Sequence, residues 1–212
     1  PADENHGERL EGGTFSTVVR IGDTVHRPTG PWTPTIHALL QHLERKGFSG
    51  CPRVVGIDDQ NREILSFIPG RVANWPWPQI LLSDDGVRQY AQLLRSYHIA
   101  VEDFSPPSKP IWQNPLKGAP ASGETIRHGD TGPWNSVWDN ERIVGFIDWD
   151  LACPGTARED VLETLWHVAP FYSESLCREV GFTTAPDRFH RAEVFLNCYG
   201  ESLGFMNMQD VL

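Results

Sequence analysis

Two short segments of the 212-residue chain carry residue types that are able to perform chemistry together. The first, residues 128–135, reads HGDTGPWN and sets His, Asp and Asn among Gly and Pro, which predicts an ordered loop rather than a helix. The second is an apolar strand, predicted over 143–147, that delivers Asp148 at its end. Carboxylate and amide oxygens are hard ligands, so Asn135 and Asp148 predict a Mg²⁺ site. Asp130, beside such a metal, is a candidate acceptor for the proton of an attacking hydroxyl.

The N-terminal third of the chain is predicted to form a small antiparallel sheet that carries one helix. β-Branched and aromatic residues on either side of a Gly-Asp turn predict a hairpin over 13–27. A helix follows, because Pro34 suits its first turn, Gly47 suits its end, and apolar residues recur every three or four positions between them. Two more strands are predicted over 53–57 and 62–68.

The remainder is predicted to be mostly helical. Pro69-Gly70 and the segment WPWP over 75–78 break the strand pattern and form a proline-rich waist. Beyond it, apolar residues recur with helical spacing over 87–101, after the capping box at 156–159, and again over 189–203. Strands followed by helices across such a waist imply an α+β protein of two lobes. A cleft between two lobes is a natural ligand site.

The order and spacing of these motifs resemble those of the aminoglycoside phosphotransferase and choline kinase superfamily, whose members are relatives of the protein kinases. HGDxxxxN followed by IDWD over 147–150 carries most of the resemblance. EGGT over 11–14 is similar to the loop that covers the nucleotide phosphates, and LSFIPG is similar to the hinge whose backbone holds adenine. The resemblance implies a protein-kinase-like, two-lobed α+β fold. Its N-lobe would span 1–70, with the hinge at about 66–70, and its C-lobe 71–212.

Carried over to this sequence, the family's catalytic residues fall in the two segments described above. Asp130 is the implied catalytic aspartate, and Asn135 accompanies it in the catalytic set. Asn135 and Asp148 are the implied ligands of Mg²⁺ on the nucleotide phosphates. His128 is predicted to brace the loop by hydrogen bonding, whereas Asp150 either approaches the metal or holds the loop.

The resemblance also implies a phosphoryl donor and a class of acceptor. The donor is ATP or another nucleoside triphosphate, and its implied contacts are Gly12, Gly13, Arg27, Ser66, Phe67 and Ile68. The acceptor is a hydroxyl group of a small molecule, such as an aminoglycoside-like antibiotic or another metabolite, or of a peptide. A narrower similarity, to the trifolitoxin immunity-like subgroup, leaves the identity of the acceptor open.

The N-terminal part differs from the family in the residues that would bind the nucleotide phosphates. Kinases carry a lysine on the third strand, yet the first 45 residues contain none. Arg27 stands at the expected place, on the strand face of Val25 and opposite His26, and it is either a phosphate ligand or a surface arginine. The partner glutamate of the helix is also missing, because Ile36 stands near its place and Glu44 is a weak substitute.

These departures favour a rival function, which is a non-catalytic kinase-like module that binds a peptide or nucleotide in immunity or regulation. The intact set of Asp130, Asn135 and Asp148 argues against that rival, because a pure scaffold does not need all three. The discriminating observation is binding of nucleotide and Mg²⁺.

Further aromatic and acidic residues near the motifs have two interpretations each. Trp134 is predicted to pack within the loop rather than to stack on a substrate. Glu159 and Glu163 are either contacts to the acceptor or a solvated helix face. Asp160, on the same predicted helix, is expected to tether the backbone of the loop.

Composition and charge exclude several classes of function. The 28 acidic residues against 18 basic ones give a net charge of −10, which argues against nucleic-acid and anionic-membrane binding and favours a cationic small partner. No apolar run approaches the about 18 residues of a membrane helix, and residues 1–13 contain no apolar signal core. Four scattered cysteines without a CxxC pair predict reduced thiols. Together these features predict a cytoplasmic protein.

Overall fold

An antiparallel sheet and one helix make up the N-terminal lobe. The structure, a computed structural model, describes residues 7–10 and 18–200. Within these residues the strand order is β1-β2-β3-β5-β4, and every neighbouring pair is antiparallel. The elements are β1 (Glu8–Leu10), β2 (Val18–Ile21), β3 (Thr24–Pro28), α1 (Thr33–Arg45), β4 (Val54–Ile57) and β5 (Arg62–Ser66). The prediction of a small sheet with one helix is confirmed.

Helix α1 buries the apolar face that its sequence spacing predicts. Ile36, Leu39, Leu40 and Leu43 are each at most 1% exposed. Burial of such side chains contributes about 1.5–3 kcal/mol each, and it fixes the helix against β4 and the first long helix of the second lobe. Gly47 follows the helix with a φ of 75°, a left-handed conformation that glycine adopts without a steric penalty.

The C-terminal lobe combines four helices with short strands in the described part of the chain. Its helices are α2 (Asp84–Val101), α3 (Ala157–Val168), α4 (Glu174–Val180) and α5 (Arg188–Tyr199). Its strands are β6 (Arg71–Val72), β7 (Thr125–Arg127), β8 (Ser136–Asp139), β9 (Arg142–Phe146) and β10 (Cys153–Gly155). They form two small sheets, one ordered β6-β8-β9 and one pairing β10 with β7. Helices hold most of the regular secondary structure of this lobe, as predicted, and the whole is an α+β fold.

Helix α2 connects the core of the C-terminal lobe to the loop at 128–135. The Tyr90 and Tyr97 side chains on this helix are fully buried, and burial raises the pKa of both phenols, so both remain hydroxyl donors at neutral pH. Tyr90 donates to the carbonyl of Thr131 at 2.8 Å, and Tyr97 donates to the carbonyl of Ile126 at 2.7 Å. The loop therefore rests on buried hydrogen bonds as well as on its own sequence.

Strand β5 ends at Ser66, two residues earlier than predicted. The reason is that the Phe67 amide donates to the Asp23 carbonyl at 2.8 Å, in the β2–β3 turn, and Pro69 follows without an amide hydrogen. The chain leaves the sheet there as an extended segment. The division of the lobes at residue 70 stays a prediction.

Within residues 7–10 and 18–200, no helix has the length and apolarity needed to cross a membrane. The four cysteines are free thiols, and Cys51, Cys153 and Cys177 are buried. Burial raises the pKa of Cys51 to about 12, which keeps this thiol protonated and unreactive at neutral pH.

Candidate active site

A cavity of about 280 Å³ lies between the two lobes. On the side of the N-terminal sheet, Val25, Leu65 and Arg27 line it. On the opposite side, Asn135 and Asp148 line it together with apolar residues of the C-terminal lobe. The cleft is thus apolar along most of its walls and polar where the sheet faces segments 128–135 and 147–150. This composition is typical of a ligand-binding site.

The HGD loop is anchored by a buried carboxylate on helix α3. Asp160 accepts the amide hydrogens of His128 at 2.7 Å and Gly129 at 3.0 Å, and it also bonds His98 at 3.1 Å. Burial opposes its ionisation, but the bonds from His98 and Gly129 outweigh that effect, so the pKa of Asp160 is lowered. The prediction that Asp160 tethers the loop backbone is confirmed.

Gly129 is required by its backbone and by its surroundings. Its φ is 80°, and a Cβ atom at this position would lie 2.4 Å from the Leu151 carbonyl oxygen. A larger residue here would push the loop away from the turn that follows Asp148.

Asp130 is held in place by donors from its own loop. Its Oδ1 accepts the indole hydrogen of Trp134 at 3.0 Å, and its Oδ2 accepts from the Nδ2 group of Asn135 at 2.7 Å. Burial raises the pKa of the Asp130 carboxyl, because fewer water molecules solvate the charge. The result is a fixed carboxylate of increased basicity, as a general base requires.

His128 is a buried brace rather than an acid or base. Burial lowers its pKa, so the ring is neutral at pH 7. In the neutral tautomer that fits its partners, Nε2 donates to the Ile147 carbonyl at 3.2 Å and Nδ1 accepts from the Asp130 amide at 3.3 Å. Its ring also packs on Trp149, with 4.4 Å between the ring centroids. The histidine therefore connects the loop to the segment that carries Asp148.

Asp148 lies where strand β9 gives way to a turn. Its φ and ψ are 59° and 69°, a left-handed conformation that costs energy for a residue with a side chain and that Asp tolerates better than most. Its carboxylate is 53% exposed and points into the cleft, whereas that of Asp150 is 26% exposed. Such strain at a cleft residue is typical of a functional position.

Arg27 crosses the cleft and contacts three carboxylates. Its Nε donates to Glu63 at 2.6 Å, its Nη1 to Asp148 at 3.0 Å and its Nη2 to Asp150 at 2.5 Å. Its side chain is only 11% exposed, so Arg27 is not a surface arginine. Burial lowers its pKa, but the charges of Asp150, Glu63 and Asp148 outweigh burial and raise it overall. Asp150 contacts Arg27 here, and the two roles considered for it, approaching the metal or holding the loop, stay predictions.

Glu63, rather than a helix residue, is the carboxylate partner of Arg27 in this lobe. Ile36 lies in the core, and Glu44 approaches Arg53 instead, at 3.8 Å. A weak signal for Glu63 exists in the sequence, because this charged residue stands two positions before Leu65 and so shares its strand face. That signal becomes specific only when the register, in which Arg27 and Glu63 are directly opposite, is known.

The remaining predicted nucleotide contacts are placed as follows. Ser66, Phe67 and Ile68 line the cleft at the end of β5. Gly12 and Gly13 lie outside the described residues. His26 is on the outer face of the sheet, as expected, where its Nδ1 lies 2.9 Å from Asp58.

The residues present fit a magnesium ion bound together with phosphates. Both hydrogen bonds from Asn135 use its Nδ2 group, which leaves the amide oxygen as the atom to contact a cation. Asp148 adds a partly exposed carboxylate. In residues 7–10 and 18–200, no three or more His, Cys, Asp or Glu side chains form a group that could hold a metal. Mg²⁺ is commonly held by one or two protein oxygens plus substrate phosphates and water.

Three acidic residues of helix α3 differ in what they can offer to an acceptor. Asp160 is used by the loop, and Glu159 closes the capping box with Thr156. Glu163 remains, 3.7 Å from Arg127. Burial, and then the charges of Asp160 and Asp130, raise the pKa of Glu163 to about 7.

Trp134 has a role beyond the packing that its sequence position predicts. It is 38% exposed, bonds Asp130 through its indole nitrogen and lies 4.6 Å from the His167 ring, centroid to centroid. The sequence held no spacing signal for this contact, because any side chain in a turn can point in several directions.

Comparison with known proteins gives a consistent result. Residues 108–191 match the family model described as the phosphotransferase enzyme family. The trifolitoxin immunity protein of Rhizobium leguminosarum bv. trifolii is 37% identical over 197 residues, covering 91% of this chain and 74% of that protein.

Solved structures share the fold at low sequence identity. The amicoumacin kinase hAmiN, in complex with AMP-PNP, Ca²⁺ and Ami, has a TM-score of 0.63 at 12% identity, over 91% of this chain and 71% of that chain. The macrolide 2'-phosphotransferase MphH from Brachybacterium faecium has a TM-score of 0.61 at 16% identity, over 96% and 79%. A choline/ethanolamine kinase family protein from Mesorhizobium loti has a TM-score of 0.55 at 16% identity, over 92% and 76%. The predicted kinase-like fold is confirmed.

Proposed function

The chain belongs to the phosphotransferase enzyme family, as a homologue of the trifolitoxin immunity protein, and we propose that it uses ATP and Mg²⁺ to phosphorylate a hydroxyl group. Family membership identifies a phosphotransferase with an alcohol group as acceptor; the donor, the metal and the nature of the acceptor are the proposal. The observation that carries it is the meeting of Asp130, Asn135 and Asp148 with a basic side chain, Arg27, at one end of an interlobe cleft.

Asp130 is the proposed catalytic base. Its carboxylate has two loop donors, but each oxygen retains a lone pair for the hydrogen of an acceptor hydroxyl. The pKa raised by burial strengthens Asp130 as a base. As the hydroxyl oxygen attacks the terminal phosphorus, its proton passes to Asp130, and the bond from that phosphorus to the β,γ-bridging oxygen breaks so that ADP leaves.

We infer the orientation of the donor nucleotide from the residues that line the cleft. Its base would lie against Val25 and Leu65, next to the backbone of 66–68, and its phosphates would point toward Arg27 and Asp148. Mg²⁺, held by the oxygens of Asn135 and Asp148, would neutralise phosphate charge. AMP-PNP in the amicoumacin kinase supports an adenine nucleotide as donor, although another nucleoside triphosphate fits the same walls.

The proposed acceptor is a small molecule or a peptide that carries a hydroxyl group. The immunity function named for the homologue supports an antibiotic-like molecule or peptide. The net charge of −10, and Glu163 close to Asp130, favour an acceptor with a positive charge. We place this reaction in the cytoplasm, where ATP and reduced thiols are available.

The test is a transfer assay with labelled ATP and Mg²⁺ across aminoglycosides, other small alcohols and Ser- or Thr-containing peptides. An acceptor that gains phosphate supports the proposal, and Asp130→Asn is expected to lower the rate by about 10²–10⁴-fold, the usual contribution of a general base. Transfer by Asp130→Asn at the parental rate would exclude Asp130 as the base.

A second candidate is an immunity function that depends on binding without turnover, and the homology to an immunity protein favours it. Thermal unfolding separates the two when combined with the assay. A nucleotide at 100 times its dissociation constant should stabilise the folded chain by about 2.7 kcal/mol. Stabilisation without transfer to any acceptor class would favour the binding function.

A further inference from the structure

Arg27, the cation of the N-terminal sheet that faces the cleft, has a different carboxylate partner from the corresponding lysine of protein kinases. There, the lysine of the third strand pairs with a glutamate on the following helix. Here the carboxylate comes from strand β5, as Glu63, and helix α1 contributes His37 instead. The His37 Nε2 lies 2.8 Å from Glu63 Oε2, while Glu63 Oε1 accepts from Arg27.

We propose that Glu63 is the positioning residue for Arg27 in nucleotide binding, and that His37 links helix α1 to this pair. The inference rests on the proposed function, because it takes the phosphates of a nucleoside triphosphate as the ligand of Arg27. It assigns to a strand the role that a helix carries in kinases.

The sheet makes Glu63 suitable for this role. Arg27 and Glu63 face each other directly in the β3–β5 register, so the ladder itself fixes their separation. The Glu63 side chain is 2% exposed. Burial raises its pKa, but the bonds from His37 and Arg27 outweigh burial and lower it, so the carboxylate stays charged. A buried, ionised carboxylate opposite a guanidinium is a fixed anchor rather than a surface ion pair.

The geometry also explains why an arginine serves here. Glu63 takes the Nε donor, which leaves both terminal nitrogens directed across the cleft, where they now bond Asp148 and Asp150. When phosphates enter, these two nitrogens can transfer to phosphate oxygens as a fork while Nε stays on Glu63. A lysine offers one ammonium nitrogen and cannot present a planar fork of two nitrogens to the phosphates.

The test is a double-mutant cycle on AMP-PNP binding to the full chain in the presence of Mg²⁺, measured by isothermal titration calorimetry. Glu63→Gln is expected to weaken binding about tenfold, and Arg27→Met about ten- to a hundredfold. Because Glu63 acts through Arg27, the double variant should bind like Arg27→Met, within about twofold. A further tenfold loss in the double variant, or parental affinity of Glu63→Gln, would overturn the inference.

Asp58→Asn is the matched control. Asp58 pairs with His26 and Arg62 on the same sheet but outside the cleft, so its loss removes a carboxylate without touching Arg27. It should leave AMP-PNP affinity unchanged; a loss equal to that of Glu63→Gln would assign the effect to the sheet in general and overturn the inference.

The experiment also distinguishes a failure of the proposed function from a failure of the inference alone. A folded parent that does not bind AMP-PNP rejects the proposed function, and the inference with it, whereas a parent that binds with additive variants rejects only the inference. If Glu63→Gln fails to fold, Glu63→Asp keeps the charge and withdraws the carboxylate from Nε. It should bind about three- to tenfold more weakly, and this loss too should vanish beside Arg27→Met.

Discussion

The HGD loop and the side of the N-terminal lobe that carries Arg27 are assembled over different ranges of sequence. Asp130 is held by Trp134 and Asn135, four and five residues further along the chain. Arg27 is held by three carboxylates that are 36, 121 and 123 residues away. The first arrangement follows from a local turn, while the second exists only after two lobes and two strands have come together.

The difference shows what a motif can and cannot specify. The side-chain bonds of Asp130 lie within a loop of eight residues, so their residue types form a motif such as HGDxxxxN, while Asp160 and Tyr90 anchor the loop from other elements. A long-range ion pair needs only some carboxylate at the right place in space. The carboxylate partner of Arg27 can therefore lie on strand β5, as Glu63, instead of on a helix, and no sequence spacing indicates this.

The loss of Asp148, which belongs to the long-range contacts of Arg27 and not to the loop at 128–135, is expected to have the largest effect on nucleotide binding. Asp148→Asn keeps a side chain that tolerates the left-handed backbone but removes the charge that faces a cation. Binding of AMP-PNP should lose its dependence on Mg²⁺, with affinity about a hundredfold lower at saturating metal. Calorimetry with and without Mg²⁺ measures this.

For Asp148, the exposed Asp139 at the end of β8 supplies a control, Asp139→Asn, that should bind as the parent does. Parental Mg²⁺ dependence in Asp148→Asn would remove Asp148 from the metal site.

Much of the fold and of the HGD loop was predictable from the sequence. The contacts of Arg27 in the N-terminal lobe were not. Alternating and helical spacings predicted the sheet, α1 and the capped helix α3, because burial of one face dictates those patterns. The pairing of Glu63 with Arg27 and the bond from Arg27 to Asp150 were not predicted, because local spacing does not determine strand register or the approach of the two lobes. The hydrogen bond from the Trp134 indole to Asp130 was not predicted for a different reason: the sequence of a turn does not determine the direction of its side chains.

Substitution of Arg27 tests the long-range region. Arg27→Ala removes the cation of the cleft and should weaken nucleotide binding or transfer by about ten- to a hundredfold, the value of a charge-assisted contact. Arg27→Lys should recover only part of this, because one ammonium does not replace the fork. The readout is the dissociation constant of AMP-PNP, alongside the KM for ATP.

His26 provides the matched control for Arg27, since it is the next residue on the strand and faces Asp58 outside the cleft. His26→Ala should bind nucleotide as the parent does. Equal affinities for the parent and both alanine variants would mean that the long-range assembly does not contact phosphate, and the contrast between the two regions would lose its functional meaning.

The smallest expected effect concerns Glu163, which lies beside the local region but is not fixed by its motif. The pKa of Glu163 is raised to about 7, whereas an unfolded chain would have about 4.3. The folded state therefore binds this proton more tightly, and stability falls as the pH rises from about 4.3 to 7. Glu163→Gln imitates the protonated form, so it should be more stable than the parent above pH 7, by about 1 kcal/mol after allowance for solvent screening.

Urea unfolding at pH 5 and pH 8 measures that difference. The gain of Glu163→Gln should be present at pH 8 and largely absent at pH 5, because most of the parental Glu163 is then protonated when folded. A gain of the same size at both pH values would mean that the substitution acts through packing and not through charge. A cationic acceptor bound beside Glu163 would stabilise the ionised form, so its affinity for the parent should rise with pH across 6–8, and Glu163→Gln should lose that rise.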